Sequence, residues 1–141
     1  MSADRTMRTG SCLCGAVRYR ITGPMRPVVG CHCRQCRKQT GHYQAATAVR
    51  SSALEMVEER GLRWYRASDV AKRGFCGECG STLFWQPDDD DRIAITAGSI
   101  DGETGLATVA HIFVADKGDY YRLDDGLPQY EQGDSQVPTP G

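Results

Sequence analysis

Residues 16–22 read AVRYRIT, with Val17, Tyr19 and Ile21 separated by Arg18 and Arg20. Side chains alternate across an extended chain, so this period of two predicts a strand with one buried and one wetted face. Gly23, Pro24 and Pro27 interrupt it, and VVGCHC (28–33) resumes an extended run. Further strands are predicted at 43–49 (YQAATAV), 62–67 (LRWYRA), 73–76 (RGFC), 81–86 (STLFWQ), 92–100 (RIAITAGSI) and 107–114 (ATVAHIFV). RQCRKQTG (34–41) has turn or short-helix character and stops at Gly41. SSALEMVEER (51–60) is the one other segment that could pass for a helix.

Glycines, Pro87 and the acidic run Asp88–Asp91 punctuate these segments. The acidic run reads as a solvated hairpin tip, with a divalent-cation site as the alternative. Many short strands with turns at this spacing predict a mainly β fold in one domain over 8–132. Residues 133–141, polar and proline-bearing, read as a frayed tail.

At 141 residues the chain can bury a core of its own. A net charge of −1 gives no global attraction to nucleic acid or to an anionic membrane. No stretch approaches the ~20 apolar residues that span a bilayer. The start, MSADRTMRTG, lacks the apolar segment of a secretory signal. A cytoplasmic location is expected, where thiols stay reduced. An odd cysteine count, seven, also argues against a complete disulfide framework.

The cysteines fall in three clusters: Cys12 and Cys14, then Cys31, Cys33 and Cys36, then Cys76 and Cys79. On a strand, C-x-C turns both sulfurs to one face. The C-x-x-C of FCGECGS is a glycine-flanked turn, suited to a metal knuckle. A redox dithiol at Cys76 and Cys79 would need a strand-to-helix context that this stretch lacks. Cys12, Cys14, Cys76 and Cys79 thus make a closed set of four thiolates for structural zinc. Cys31, Cys33 and Cys36 remain for a second zinc with one open position, the mark of a catalytic site. His32 would point away from that metal if its segment is extended, and His42 or His111 could close the site instead.

Three thiolates overcompensate a zinc dication, giving a weak Lewis acid that favours a soft sulfur ligand. A thiol bound there would be held as a nucleophilic thiolate. Arg34, Arg37 and Lys38 surround this cluster, and Lys72 and Arg73 precede Cys76. They could clamp the carboxylates of a small anionic thiol such as glutathione, or simply face water and offset the anionic zinc sites.

The stretches GSCLCGAVRYRI, CHCRQCRKQTGHY, RGFCGECGSTLFW, AGSID and DGLPQYE resemble the glutathione-dependent formaldehyde-activating family, also called the centromere-protein-V-like group. The resemblance runs from about Gly10 to Gln132. It implies an Mss4-like β-tent of short antiparallel strands organised around two zincs. It implies that Cys12, Cys14, Cys76 and Cys79 are structural ligands and that Cys31, Cys33 and Cys36 are catalytic. The implied activity is that of a carbon–sulfur lyase, joining formaldehyde and glutathione into S-(hydroxymethyl)glutathione. Arg34, Arg37, Lys38 and His42 are the candidate substrate contacts, and solvent, His42 or Tyr43 could supply the proton. The alternative is a non-catalytic zinc module that carries a thiol or binds a protein partner.

Overall fold

The structure is a computed structural model that describes residues 6–133. Its strands are β1 (Met7–Ser11), β2 (Arg18–Thr22), β3 (Val28–Cys31), β4 (Gln44–Arg50), β5 (Leu54–Glu58), β6 (Leu62–Tyr65), β7 (Ala71–Cys76), β8 (Thr82–Pro87), β9 (Arg92–Thr96) and β10 (Thr108–Ile112). A single α-helix among the described residues, α1 (Arg34–Thr40), follows β3. The fold is mainly β, as the alternation predicts. A three-stranded sheet runs β1-β2-β5, and a seven-stranded sheet runs β10-β3-β4-β9-β8-β7-β6. Neighbours are antiparallel except β10 with β3, which are parallel. Those two strands lie far apart in sequence, so a crossover rather than a hairpin joins them and parallel pairing becomes available.

The period of two decides which side chains enter the core. Tyr19 and Ile21 of β2, and Ile93 and Ile95 of β9, are buried while their neighbours are not. They meet Val49, Leu83 and Phe84 between the two sheets. The Tyr19 and Phe84 rings pack edge to face at 5.6 Å, and the Tyr19 hydroxyl lies 2.5 Å from Ser99 Oγ. Each such apolar side chain contributes roughly 1.5–3 kcal/mol through burial. Gly10 on β1 sits directly against that tyrosine; a Cβ there would come within 2.3 Å of the ring.

Two readings of the sequence need correction, and a third, the acidic run as a hairpin tip, holds. Residues 51–60 are not a helix: a 3-10 turn at Ser51–Ala53 leads into β5, which pairs with β2. Leu54 and Met56 pack on the core and Glu55 and Val57 face out, a period of two that completes the smaller sheet. The polar start conceals a strand, β1, antiparallel to β2. The acidic run is a surface hairpin in which Arg66 holds Asp88, Arg92 holds Asp90 and Arg50 holds Asp91. Carboxylates neutralised in this way leave little for a cation. Of segment 133–141 only Gly133 is within the described residues. No described helix is long and apolar enough to cross a membrane.

Candidate metal centres and the cavity beside the three-cysteine cluster

Cys12 and Cys14 lie in the turn that follows β1; Cys76 ends β7 and Cys79 lies in the turn that follows it. Their four sulfurs all lie within 4.8 Å of one another. Turn geometry, not a strand face, brings Cys12 and Cys14 together, with Gly15 at φ 84° releasing the bend. Backbone N–H groups point at the sulfurs: Val17 donates to Cys12 (3.2 Å), and Glu78 (3.3 Å) and Cys79 (3.4 Å) donate to Cys76. The Ser81 hydroxyl, 3.2 Å from Cys79 Sγ, helps to draw that thiol down to about 5. Gly61 crosses so closely that a Cβ would stand 2.9 Å from Cys76 Sγ. Donors aimed at sulfur and soft ligands at tetrahedral separations fit a structural zinc.

The second cluster is assembled where β3 gives way to α1. Cys31 ends the strand, Cys33 is the helix N-cap and Cys36 lies in the first turn. Their sulfurs are also within 4.8 Å of one another, and no histidine joins the group among the described residues. Hydrogen bonds from Cys31 and Cys36, with a backbone N–H and Arg73, pull Cys33 down to about 2, while Cys33 and Cys36 push Cys31 up. Arg73, reaching across from β7, donates from Nη1 to Cys36 Sγ (3.5 Å) and from Nη2 to Cys33 Sγ (3.9 Å). A cation beside three sulfurs offsets the excess negative charge that a three-thiolate metal would carry. All seven cysteines are free thiols. This donor set fits a soft divalent metal with a coordination position to spare.

The triad lies on the wall of a cavity of about 580 Å³, within the range of small-molecule sites. The cavity occupies the face of the seven-stranded sheet that the core does not use. On β4, Ala46 and Ala48 line it while Val49 enters the core; on β9, Ala94 lines it while Ile93 and Ile95 enter the core. Three alanines leave the floor low, and Trp85, Ile112 and Phe113 raise the sides. Phe113 is the one described non-glycine residue with positive φ (53°). Arg26, Arg34, Arg73 and Arg92 all border the cavity, against a single acid, Asp116. That imbalance favours an anionic ligand with an apolar stretch.

Beneath the triad the histidines do other work. His32 points away from the sulfurs, as expected for an extended segment. Its Nδ1 is 2.6 Å from the Tyr121 hydroxyl and its Nε2 is 2.9 Å from His111 Nδ1. His111 Nε2 in turn meets Asp125 Oδ2 at 2.8 Å. Burial holds His32 down to about 4, so it is neutral at neutral pH. With both ring nitrogens of His111 engaged, it is no fourth ligand. His42 is exposed and packs on the Tyr43 and Tyr121 rings, outside the triad.

Of the predicted contacts, Arg34 borders the cavity; Arg37 and Lys38 are not among its lining residues. Arg37 sits close enough to Tyr121 for its charge to act on that phenol. Lys72 lies over the Trp64 ring at 4.4 Å instead of near the triad. Sequence reasoning did not place Arg26, Trp85, Tyr121 or Asp125 at the site. Arg26, Trp85 and the loop that holds Tyr121 and Asp125 lie far apart in the chain, and no local spacing marks them.

The model of the family described as glutathione-dependent formaldehyde-activating enzyme matches residues 7–116. The chain is 28% identical over 127 residues to a Halomonas elongata protein named "Putative glutathione-dependent formaldehyde-activating enzyme", covering 82% of this chain and 80% of that one. It is 27% identical over 114 residues to a Schizosaccharomyces pombe protein named as an uncharacterized lyase, covering 79% and 82%. The crystal structure of a Rhodobacter sphaeroides protein superposes with a TM-score of 0.56 at 25% identity, over 69% of this chain and 91% of that chain.

Proposed function

Since the chain belongs to the glutathione-dependent formaldehyde-activating enzyme family, we propose that it is a two-zinc carbon–sulfur lyase that joins a glutathione-like thiol to a small aldehyde, as in S-(hydroxymethyl)glutathione formation. The observation that carries this reading is the three-sulfur cluster opening onto a cavity bordered by four arginines. Zinc held by Cys31, Cys33 and Cys36 would favour a soft sulfur in its remaining position and hold it as a thiolate. The four-sulfur set, already closed, serves the fold alone. Arg34, exposed at the start of α1 and bordering the cavity, receives a substrate carboxylate. Arg37 and Lys38 add background positive charge from the same helix. The apolar floor of Ala46, Ala48 and Ala94 carries the substrate's carbon chain and keeps water from the reacting atoms. A small aldehyde is a strong electrophile toward a thiolate held in place in this way. A cytoplasmic setting, rich in reduced thiols, suits this chemistry.

Elemental analysis should give two zincs per chain. Exchange spectroscopy with isotopically labelled formaldehyde should show carbon–sulfur bond formation and cleavage faster than in buffer alone. A charge-assisted hydrogen bond from Arg34 is worth roughly 1.5–3 kcal/mol. Arg34→Ala should therefore weaken glutathione ten- to a hundred-fold and leave a neutral thiol such as β-mercaptoethanol almost unaffected. One zinc, or none, would refute the metal assignment. Thiol binding with no acceleration of exchange would leave a thiol carrier in place of an enzyme.

A further inference from the structure

We propose that Arg73 is the oxyanion donor of this site: it hydrogen-bonds the aldehyde oxygen as that oxygen becomes an alkoxide under attack by the thiolate. The inference rests on the thiol-plus-aldehyde reading and adds the group that makes the addition fast.

Arg73 is 6% exposed, yet it borders the cavity. Its guanidinium is fixed by α1 and the N-cap of that helix. Nε donates to Gln35 Oε1 at 3.1 Å and Nη1 to Gln39 Oε1 at 3.0 Å, both on α1. Nη1 also donates to Cys36 Sγ at 3.5 Å, and Nη2 to Cys33 Sγ at 3.9 Å. Four of the five N–H bonds of an arginine are accounted for by these contacts. The fifth belongs to Nη2, the nitrogen beside Cys33. A substrate sulfur drawn to the cysteine triad must stand next to Cys33 and Cys36. The aldehyde carbon bonds to that sulfur, and its oxygen lies one further bond away, within the reach of Nη2.

The step balances without a further reactant. A thiolate lone pair forms the carbon–sulfur bond, and the carbonyl π pair moves onto oxygen. Water then protonates the alkoxide. Arginine does not give up its proton near neutral pH, so Arg73 serves as a fixed donor and not as an acid. Reversal breaks the carbon–sulfur bond and restores the carbonyl. The groups that the sequence offered for this task stand elsewhere: His42 is exposed among tyrosine rings, and neither it nor Tyr43 borders the cavity. Two glutamine oxygens hold the guanidinium in place before substrate arrives, and such preorganisation is what an oxyanion donor needs.

Arg73→Ala and Arg73→Lys would be compared with wild type as the zinc-loaded full chain, and again with cobalt(II) in place of zinc. The sulfur-to-cobalt absorption on adding glutathione alone reports whether the thiol still takes its seat. For Arg73→Ala, kcat for formaldehyde exchange should fall about 100- to 1,000-fold, as for other oxyanion donors. The glutathione-induced absorption should persist in both variants. Added guanidinium should restore part of the rate to Arg73→Ala and none to wild type, a rescue that a purely structural role would not show. Should Arg73→Ala fail to hold metal, Arg73→Lys decides: it keeps the charge, loses the fork and should be slowed at least tenfold with its thiol absorption intact. An active wild type with either variant within threefold of its kcat overturns the role of Arg73 alone. A wild type that binds glutathione but exchanges no formaldehyde overturns the reaction, and this role with it.

Discussion

Replacing Cys14 by Ser removes one ligand from the cluster that joins the turn after β1 to the end of β7. Cys14 and Cys76, whose sulfurs are 3.8 Å apart, are separated by 62 positions. Closing a loop of that length in the unfolded chain costs about 4 kcal/mol of conformational entropy, which the cross-link removes. The triad spans only Cys31 to Cys36. Loop entropy grows as 1.5RT times the logarithm of length, so a link across about five residues constrains the unfolded chain by about 2 kcal/mol less. Cys14 is exposed, and Ser in its place opens no hole in the core. Urea unfolding with saturating zinc, followed by the fluorescence of Trp64 and Trp85, should show Cys14→Ser destabilised by about 4 kcal/mol. Cys33→Ser should lose about 2 kcal/mol or less. Against a total stability of about 5–15 kcal/mol, the first variant stands near the limit of folding and the second does not. Equal losses in the two variants would refute the division into a fold-closing cluster and a chemical one.

Gly10→Ala should cost about 1–3 kcal/mol, because the new Cβ meets the Tyr19 ring at 2.3 Å and the Ser99 carbonyl oxygen at 2.6 Å. A thermal midpoint equal to that of wild type would show that β1 does not pack there. His111 holds the Asp125 carboxyl below the usual aspartate range. The folded pKa then lies below the unfolded one, so this contribution is complete above the unfolded value near 4 and fades as pH falls through the folded value. The stability difference between wild type and Asp125→Asn should accordingly shrink on acidification below pH 4 and stay level from pH 5 to 7; a difference independent of pH throughout would remove the His111–Asp125 pair.

Local spacing made the cysteine clusters and the amphipathic strands legible. AVRYRIT declares its buried face because its other face is wet. β4 is harder to read, since Gln44, Ala46, Thr47, Ala48 and Val49 are all buried. One of its faces fills the core and the other floors the cavity, so no polar face marks its period. The 51–60 segment misleads for the opposite reason. The five residues of β5, two of them glutamate, satisfy a helical period as readily as an extended one, and pairing with β2 decides between them. Arg73 was visible only as a charge near a C-x-x-C. Its hydrogen bonds to Cys33 and Cys36 cross from β7 to α1, and no spacing in the sequence announces that contact.

The two cysteine clusters lie against the two faces of one sheet. Cys12 and Cys76 are members of the core beside Tyr19, Leu83 and Phe84, so losing a metal held there would loosen the packing around them. Cys31, Cys33 and Cys36 border the cavity on the other face. Neighbouring positions show the same divide: Phe84 enters the core and Trp85 the cavity, Ile93 and Ile95 the core and Ala94 the cavity. β7 carries both roles within six residues. Arg73 borders the cavity, and Cys76, three positions on, lies in the core. Side chains an odd number of positions apart on a strand point to opposite faces, so a single strand serves both clusters. The two sulfur clusters thus share a scaffold without sharing an environment: the triad opens onto the cavity, while the four-sulfur set is anchored in the core through Cys12 and Cys76.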